Sequence, residues 1–323
     1  MIRKHPFRLF FILFSLSVCG CSSDRNVPAD DSRFTEVMQS REESISITDD
    51  LGREVTLERP QRVAALIGSF ADIWCLAGGK ESLAAAANDT WTSFDLNLDD
   101  SVRNLGTIKS PNLEVLFASE PDLILASCNT AANLQLLDTF TDAGIPVLYF
   151  DVSSFEDYLR MLEACTKLTG REDCLQVYGT SVRQQVELAI SRQTGETPRV
   201  LCIRAAGSGC RVKGSDGNVL GEMLADLGCV NVADSDKSSL EQLSLEAILS
   251  ADPDYIFAVL QGADKEESRA VLEQTLLSNP AWQNLRAVKE GNFYTLDHTL
   301  YNLKPNARWG EAYEKLADIL YPQ

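Results

Sequence analysis

His298 and Tyr301 carry the most specific chemistry in the sequence, because both residue types can ligate a metal. They lie in the segment LDHTLYN, directly after a predicted strand, and His5 near the N-terminus is the one other histidine in the sequence. One imidazole is too few for a bare zinc or manganese ion, whose sites gather several nitrogen and carboxylate ligands. His298, with Tyr301 as its alternative, instead suits an axial bond to a metal that a bound molecule already holds. The alternative is a surface histidine at the end of a strand.

Six further residues are predicted to line a ligand site because each follows a predicted strand. Ligands of open α/β sheets bind outside the carboxyl ends of the strands. Phe70 and Trp91 could be aromatic walls for a large planar or hydroxamate ligand, or could belong to the core. Ser69 offers a hydroxyl group. Lys109, Arg204 and Arg211 offer cations that could neutralise an anionic ligand, although a lone basic side chain is more often solvated.

The segment GSGCRVKGS has part of the spacing of a phosphate-binding loop but lacks its essential lysine. Gly209 and Gly214 are correctly spaced, and Ser215 stands where the lysine should be. The serines of the GTSV and GSGC segments do not form a nucleophile elbow, and nothing places a serine beside His298 for a triad. The segment is therefore interpreted as a turn near the ligand site. The protein is expected to perform no chemistry, with a triad that uses His298 as the open alternative.

The N-terminal segment has the organisation of an export signal. Three basic residues precede an apolar run over residues 9–18, which is too short to span a membrane. The stretch VCGC resembles a bacterial lipobox, which predicts signal cleavage before Cys21 and a lipid on that cysteine; an ordinary cleaved signal is the alternative. The polar residues 21–44 are predicted to be a flexible tether.

Charge and cysteine content exclude several classes of partner. Without residues 1–20 the chain keeps 26 basic and 47 acidic residues, a net charge of −21. Such a surface is unsuited to nucleic acid or to anionic lipid. Seven further cysteines follow Cys21 without C-x-x-C spacing, which argues against structural zinc. Whether Cys165 and Cys174 pair is left open.

Alternating strand and helix patterns predict an α/β fold with parallel sheets covered on both faces. SISITDD and REVTLE predict a hairpin, and NLQLLDTFTDAG predicts one helix. Two helical stretches separated at Gly170 interrupt this alternation over about residues 154–192. The predicted organisation is a signal at 1–20, a tether at 21–44, a lobe at 45–153, a helical linker at 154–196 and a second lobe at 197–323.

One phrase occurs in both predicted lobes. NLEVLFASEPDLILAS starts at Asn112, and SLEAILSADPDYIFAV starts at Ser244. In each copy an N-cap residue is followed two positions later by a glutamate, Glu114 or Glu246, and a proline ends the helix before an apolar strand. The shared offsets favour a body with related halves, although all α/β proteins contain such units.

Four features together resemble those of substrate-binding lipoproteins of ABC importers. They are the lipobox, TDDLGREVTLERPQRVAAL, the two repeated phrases and the central helical region. The group is the one that serves iron-siderophore, haem and cobalamin uptake, and the resemblance extends from about Ile45 to the C-terminus. It implies two Rossmann-like lobes joined by one long α-helix, with the ligand in the cleft between them.

The same resemblance implies a function and partners. The protein would be a lipid-anchored, extracytoplasmic monomer that delivers an iron chelate or haem to a permease and its ATPase, without a permanently bound cofactor. Glu114 and Glu246 would contact arginines of the permease, although a glutamate in a first helical turn also favours the helix dipole. A corrinoid carrier is the alternative ligand class. An enzyme, a chelatase or a surface sensor is the alternative of a different class.

Overall fold

The computed structural model describes residues 44–235, 245–262 and 264–322. The first lobe begins with an antiparallel hairpin, as predicted, and continues with a sheet of parallel strands in the order β5-β4-β3-β8-β9. Its strands are β1 (Ile45–Thr48), β2 (Glu54–Leu57), β3 (Val63–Ala65), β4 (Leu83–Ala86), β5 (Arg103–Asn104), β6 (Gly106–Thr107), β7 (Ser110–Pro111), β8 (Leu123–Ser127) and β9 (Val147–Phe150).

Strands β3, β8 and β9 are buried along their whole length because helices cover both faces of this sheet. These helices are α1 (Gly68–Leu76), α2 (Asp89–Ser93), α3 (Leu113–Ala118), α4 (Ala131–Leu134) and α5 (Leu137–Asp142). The N-cap prediction for α3 is confirmed, since Asn112 Oδ1 accepts a hydrogen bond from the backbone N–H of Val115 at 3.1 Å. The single helix predicted from NLQLLDTFTDAG is wrong, because it is divided into α4 and α5.

The connection to the second lobe contains two helices separated at Gly170, rather than one continuous helix. Helix α6 (Phe155–Thr169) starts in a capping box between Ser154 and Asp157 and ends at Gly170, whose φ of 70° is left-handed. The chain then continues through α7 (Glu172–Leu175), a π-helical turn (Gln176–Thr180) and α8 (Ser181–Ile190).

The second lobe contains a mixed sheet in the order β11-β10-β13-β14, with β12 paired to β10. Strands β10, β12, β13 and β14 run parallel, whereas β11 forms a hairpin with β10. The GSGCRVKGS segment is therefore the turn and second strand of this hairpin. The strands are β10 (Arg199–Ala206), β11 (Gly209–Lys213), β12 (Val230–Asn231), β13 (Tyr255–Leu260) and β14 (Phe293–Leu296).

The helices of this lobe end with a long one that packs against the connection. They are α9 (Val219–Asp226), α10 (Leu245–Ala251), α11 (Lys265–Leu272), α12 (Arg286–Lys289), α13 (His298–Tyr301) and α14 (Trp309–Leu320). Helix α14 packs along α8, and the Trp309 ring lies 6.0 Å from that of Phe155 at the start of α6. The last helix therefore ties the second lobe to the connecting helices. Across the described ranges, no helix has the length and apolar character needed to cross a bilayer.

The two repeated phrases adopt matching structures. Glu120 and Asp252 precede the two prolines, and both have a left-handed φ, of 47° and 38°. The helix of the second copy is α10, and its predicted cap, Ser244, lies outside the described residues.

The aspartate after each proline holds the start of the neighbouring strand. Asp122 accepts a hydrogen bond from the backbone N–H of Arg62 at 3.0 Å, and Asp254 accepts one from Arg199 at 2.8 Å. The Arg62 guanidinium donates to the Ser119 carbonyl, and that of Arg199 to the Ala251 carbonyl, each at 2.9 Å. These matched contacts support the interpretation of two related halves.

Candidate ligand site between the lobes

The segment between α13 and α14 joins the two lobes. Asn306 is fully buried, with a left-handed φ of 52°. Its side-chain amide donates to the Ser69 carbonyl at 2.9 Å and to the Asp72 carboxylate at 2.7 Å, both on α1. Because α1 belongs to the first lobe and α13 to the second, the carboxyl ends of both sheets meet near this segment.

Lys304, in the same segment, lies in this junction between the lobes. Burial lowers the pKa of its half-buried ammonium, which also lies within electrostatic range of Asp151, Arg204 and Asp89. Asp89 and Asp151 follow β4 and β9 of the first lobe, and Arg204 lies near the end of β10. The junction therefore has the location expected for the ligand site of an open α/β sheet.

Polar side chains at the first-lobe edge hold one another in place. The Asn129 amide donates to the Asp151 carboxylate and to Ser153 Oγ, and Ser153 Oγ donates to Asp151 at 3.0 Å. Asp50 accepts a hydrogen bond from the backbone N–H of Asp151 at 2.7 Å. Burial, aided by Asp50 and Asp151, raises the pKa of the Cys128 thiol to about 11, so this thiol is protonated at neutral pH.

Asp89 caps the start of α1 from the neighbouring helix. Its Oδ2 accepts a hydrogen bond from the backbone N–H of Gly68 at 2.9 Å, and burial raises the pKa of the carboxyl group. A Cβ atom at Gly68 would lie 2.6 Å from the backbone nitrogen of Thr90, so only glycine fits here. Asp89 Oδ1, Ser69 Oγ and Thr90 Oγ1 are buried with no hydrogen-bond partner in the described part of the chain.

The second-lobe edge of the junction is cationic. Burial lowers the pKa of the Arg204 guanidinium, and Arg211 is its direct cross-strand partner in the β10–β11 register. Directly opposed residues of an antiparallel pair project from the same face of the sheet, so both cations are on one face. Lys213 and Arg204 also line a common cavity of about 10 Å³, room for a single water molecule.

His298 starts α13, next to the carboxyl end of β14. Its side chain is 27 % exposed, and its Nδ1 lies 3.8 Å from Asp297 Oδ1. Burial and the charge of Lys265 lower the pKa of the imidazole, which keeps it neutral at pH 7. In the described ranges, no group of three or more histidine, cysteine or acidic side chains could hold a bare metal ion.

Two of the predicted aromatic ligand residues are buried in the core. Phe70 is fully buried, and its ring packs edge-on against Phe150 at 6.3 Å. Tyr301 is 3 % exposed, its hydroxyl group donates to the Ala312 carbonyl at 3.0 Å, and burial raises its pKa. In this conformation neither Phe70 as a wall nor Tyr301 as a metal ligand is compatible with its location.

The other predicted residues lie at or near the surface, except Ser69. Ser69 is 2 % exposed, whereas Trp91 on α2 is 41 % exposed. Lys109 is exposed in the turn between β6 and β7, and Arg211 is exposed on β11. The sequence analysis did not predict Lys304 as a ligand residue. Its position in LYNLKPNAR, shortly after His298, could have indicated that it lies near the ligand site.

A second groove lies at the opposite, amino-terminal end of the first sheet. Its volume is about 1050 Å³, and Pro60, Asp122 and Pro146 are among its lining residues. Since β3, β8 and β9 begin there, it is at the end of the sheet where ligands of open α/β folds do not bind.

Comparisons with known proteins identify the family of this chain. A periplasmic binding protein family model matches residues 63–300. The Fe(3+)-citrate-binding protein YfmC of Bacillus subtilis is 26% identical over 295 residues, which cover 88% of this chain and 87% of that protein. The high-affinity heme uptake system protein IsdE of Staphylococcus aureus is 21% identical over 225 residues, covering 68% and 75%.

A solved structure shares the fold. A periplasmic binding protein from Veillonella parvula superposes with a TM-score of 0.69 at 18% identity, covering 87% of this chain and 92% of that chain. Since the family model spans most of the chain, the protein belongs to the periplasmic binding protein family and is a substrate-binding protein of the ABC-importer type, not an enzyme.

Proposed function

We propose that the protein captures a ferric chelate in the interlobe junction and delivers it to an ABC permease and its ATPase. The observation that carries this proposal is the meeting of both sheets' carboxyl ends around Lys304, beside Arg204. Cations that are partly removed from water bind anionic groups strongly. The similarity to an Fe(3+)-citrate-binding protein over 88% of the chain supports an iron complex as cargo.

Haem is the second candidate ligand, because His298 has suitable chemistry. A haem iron takes a neutral imidazole, and the lowered pKa and partial exposure of His298 provide one. Trp91 is an exposed aromatic ring that could stack on a planar ligand. The similarity to a heme uptake protein supports this candidate, and a corrinoid remains the third.

Attachment and docking complete the proposal. Cys21, the proposed lipid attachment site, lies outside the described residues. Glu114 on α3 and Glu246 on α10 are both exposed, in the equivalent positions of the two repeated phrases. A permease with twofold symmetry would offer the same basic contact to each lobe, so one accessible glutamate per lobe supports docking through this pair.

The test is a titration of the purified full-length chain with ferric citrate, a neutral ferric trihydroxamate, haemin and cobalamin. Fluorescence quenching and visible absorption report saturable binding of each compound. We expect saturable binding of a ferric chelate that is unchanged in His298→Ala. If haemin is the ligand, His298→Ala will instead abolish the absorption shift of the bound haem. A folded protein that binds none of the iron compounds contradicts the proposed function.

A further inference from the structure

Arg204 and Arg211 form a like-charged pair in the second lobe. They are directly opposite each other in the β10–β11 register, and like charges at such positions destabilise a sheet. Several other arginines pair with acids: Arg183, Arg192 and Arg308 each lie 2.6–2.8 Å from a carboxylate oxygen. The protein has 47 acidic residues that could pair with arginines, and yet these two arginines face each other. Because this arrangement does not stabilise the fold, we look for its reason in ligand binding.

Nothing within the residues that the structure describes neutralises this pair. Neither guanidinium has a carboxylate within 4.0 Å there, and Arg204 is partly buried, where an uncompensated charge is most unfavourable. Lys304 adds a third positive group, close enough for Arg204 to lower its pKa. These three residues are called the cationic wall below.

The two arginines of the cationic wall lie on the face of the sheet that packs against α14 and the connecting helices. Residues alternate between the two faces of a strand, so Arg204 shares a face with Val200 and Cys202, which pack in the same core as α14 and the connecting helices. Leu201 and Ile203 point to the other face and a separate core. Arg204 is also near the carboxyl end of β10 and within electrostatic range of Lys304, so a ligand between the lobes would meet the wall.

We infer that the ligand is a hydrophilic ferric chelate with at least two free carboxylate groups, which the cationic wall of Arg204, Arg211 and Lys304 binds. The inference rests on the proposed function and narrows its substrate class. Two arginine forks suit two carboxylates because each fork can donate two parallel hydrogen bonds. The bound chelate then supplies the counter-charge that the described residues do not place beside Arg204 and Arg211.

The rest of the junction also favours a hydrophilic ligand. On the first-lobe side, Asp151 lies within electrostatic range of Lys304 and is hydrogen-bonded to Asn129 and Ser153, and the polar atoms of this group can exchange hydrogen bonds with the hydroxyl groups of a chelate. Haem needs extended apolar walls, and of the two predicted aromatic walls Phe70 is buried in the core, which leaves Trp91 alone. A neutral trihydroxamate would give Arg204 and Arg211 no counter-charge, and no described carboxylate lies within 4.0 Å of either one.

The experiment measures binding to the full-length chain by isothermal titration calorimetry, with ferric citrate as the probe. A neutral ferric trihydroxamate and haemin are titrated in parallel. The variants are Arg204→Met, Arg211→Gln and Lys304→Met, with Lys304→Arg as the charge-conserving form. The matched control is Lys289→Met, which removes an exposed cation beyond the amino end of β14 in the same lobe.

We expect Arg211→Gln and Lys304→Met each to weaken ferric citrate binding by about 10- to 100-fold, as loss of a hydrogen bond to a charged group does. Lys304→Arg should retain binding, Lys289→Met should be unaffected, and raising the salt concentration should weaken binding to the unaltered protein. Arg211 is exposed, so Arg211→Gln tests the inference even if Arg204→Met does not fold.

Two results would overturn the inference. One is ferric citrate binding that none of the three neutralising variants weakens. The other is the absence of ferric citrate binding, whatever the other compounds do. If the trihydroxamate or haemin binds in that second result, the proposed function stands and only the substrate class is wrong. If no iron compound binds, the proposed function falls as well.

Discussion

Replacing Asp72 by asparagine is expected to stabilise the protein increasingly as the pH rises. Asp72 is half-buried on α1 and accepts the hydrogen bond from Asn306 that joins the lobes. Burial raises the pKa of its carboxyl group from 3.8 to about 6, outweighing the opposing effect of that hydrogen bond. A carboxyl group with a raised pKa favours folding while it is protonated, and that contribution is lost as the pH rises through about 6.

The size of the effect follows from the two pKa values. Each unit of difference corresponds to about 1.4 kcal/mol. Relative to a group that stays protonated in both states, Asp72 therefore lowers the free energy of unfolding by about 3 kcal/mol at pH 8 and, mainly through its ionisation in the unfolded chain, by about 1 kcal/mol at pH 4.5. Asparagine keeps an acceptor for the Asn306 amide but has no charge. The nearby thiol of Cys75 has a pKa of about 12 and remains neutral over this range.

The assay is urea unfolding of both proteins at pH 4.5, 6 and 8, with Asp142→Asn as the control at an exposed aspartate on α5. The advantage of Asp72→Asn should grow by about 2 kcal/mol between pH 4.5 and pH 8, while the control shows no such trend. An advantage that is the same at all three values would refute the assignment of the raised pKa to burial of Asp72.

Three further predictions concern docking, anchoring and the start of α1. Glu114→Arg combined with Glu246→Arg should keep ligand binding and abolish cellular uptake; normal uptake would exclude docking through this pair. Cys21→Ser should move the protein from the membrane fraction to the soluble fraction on cell fractionation, and continued membrane association would contradict lipid attachment there. Gly68→Ala should lower the free energy of unfolding by about 1–3 kcal/mol, because its Cβ would lie 2.6 Å from the Thr90 nitrogen; an unchanged melting temperature would show that α2 moves aside.

Much of the fold was predictable because local chemistry repeats along the chain. The hairpin, the buried strands and the capped helix after Asn112 follow from alternation, apolar runs and N-cap preference. The break at Gly170 was visible because glycine readily adopts a left-handed φ. The β10–β11 hairpin was missed because GSGCRVKGS is read most easily as a loop, and only pairing with β10 makes it a strand.

The site was less predictable because burial and proximity are not local properties. The rule that ligands bind after parallel strands selected Arg204, Arg211, His298 and Trp91 by position, but it selected Phe70 equally. A shift of one position along the chain decides whether a side chain points into the core or out of it. The sequence pattern does not define the end of a strand to within one residue.

The sequence by itself determined the alternating α/β pattern, the repeated phrase, the single histidine that follows His5 and the acidic charge. Only the tertiary structure decided which polar groups meet between the lobes. Lys304 is about a hundred residues from Arg204 and more than two hundred from Asp89, and it comes within range of both because two sheets end at one junction. Electrostatic interactions depend on distance and burial rather than on sequence separation, so this cluster arises only in the folded chain.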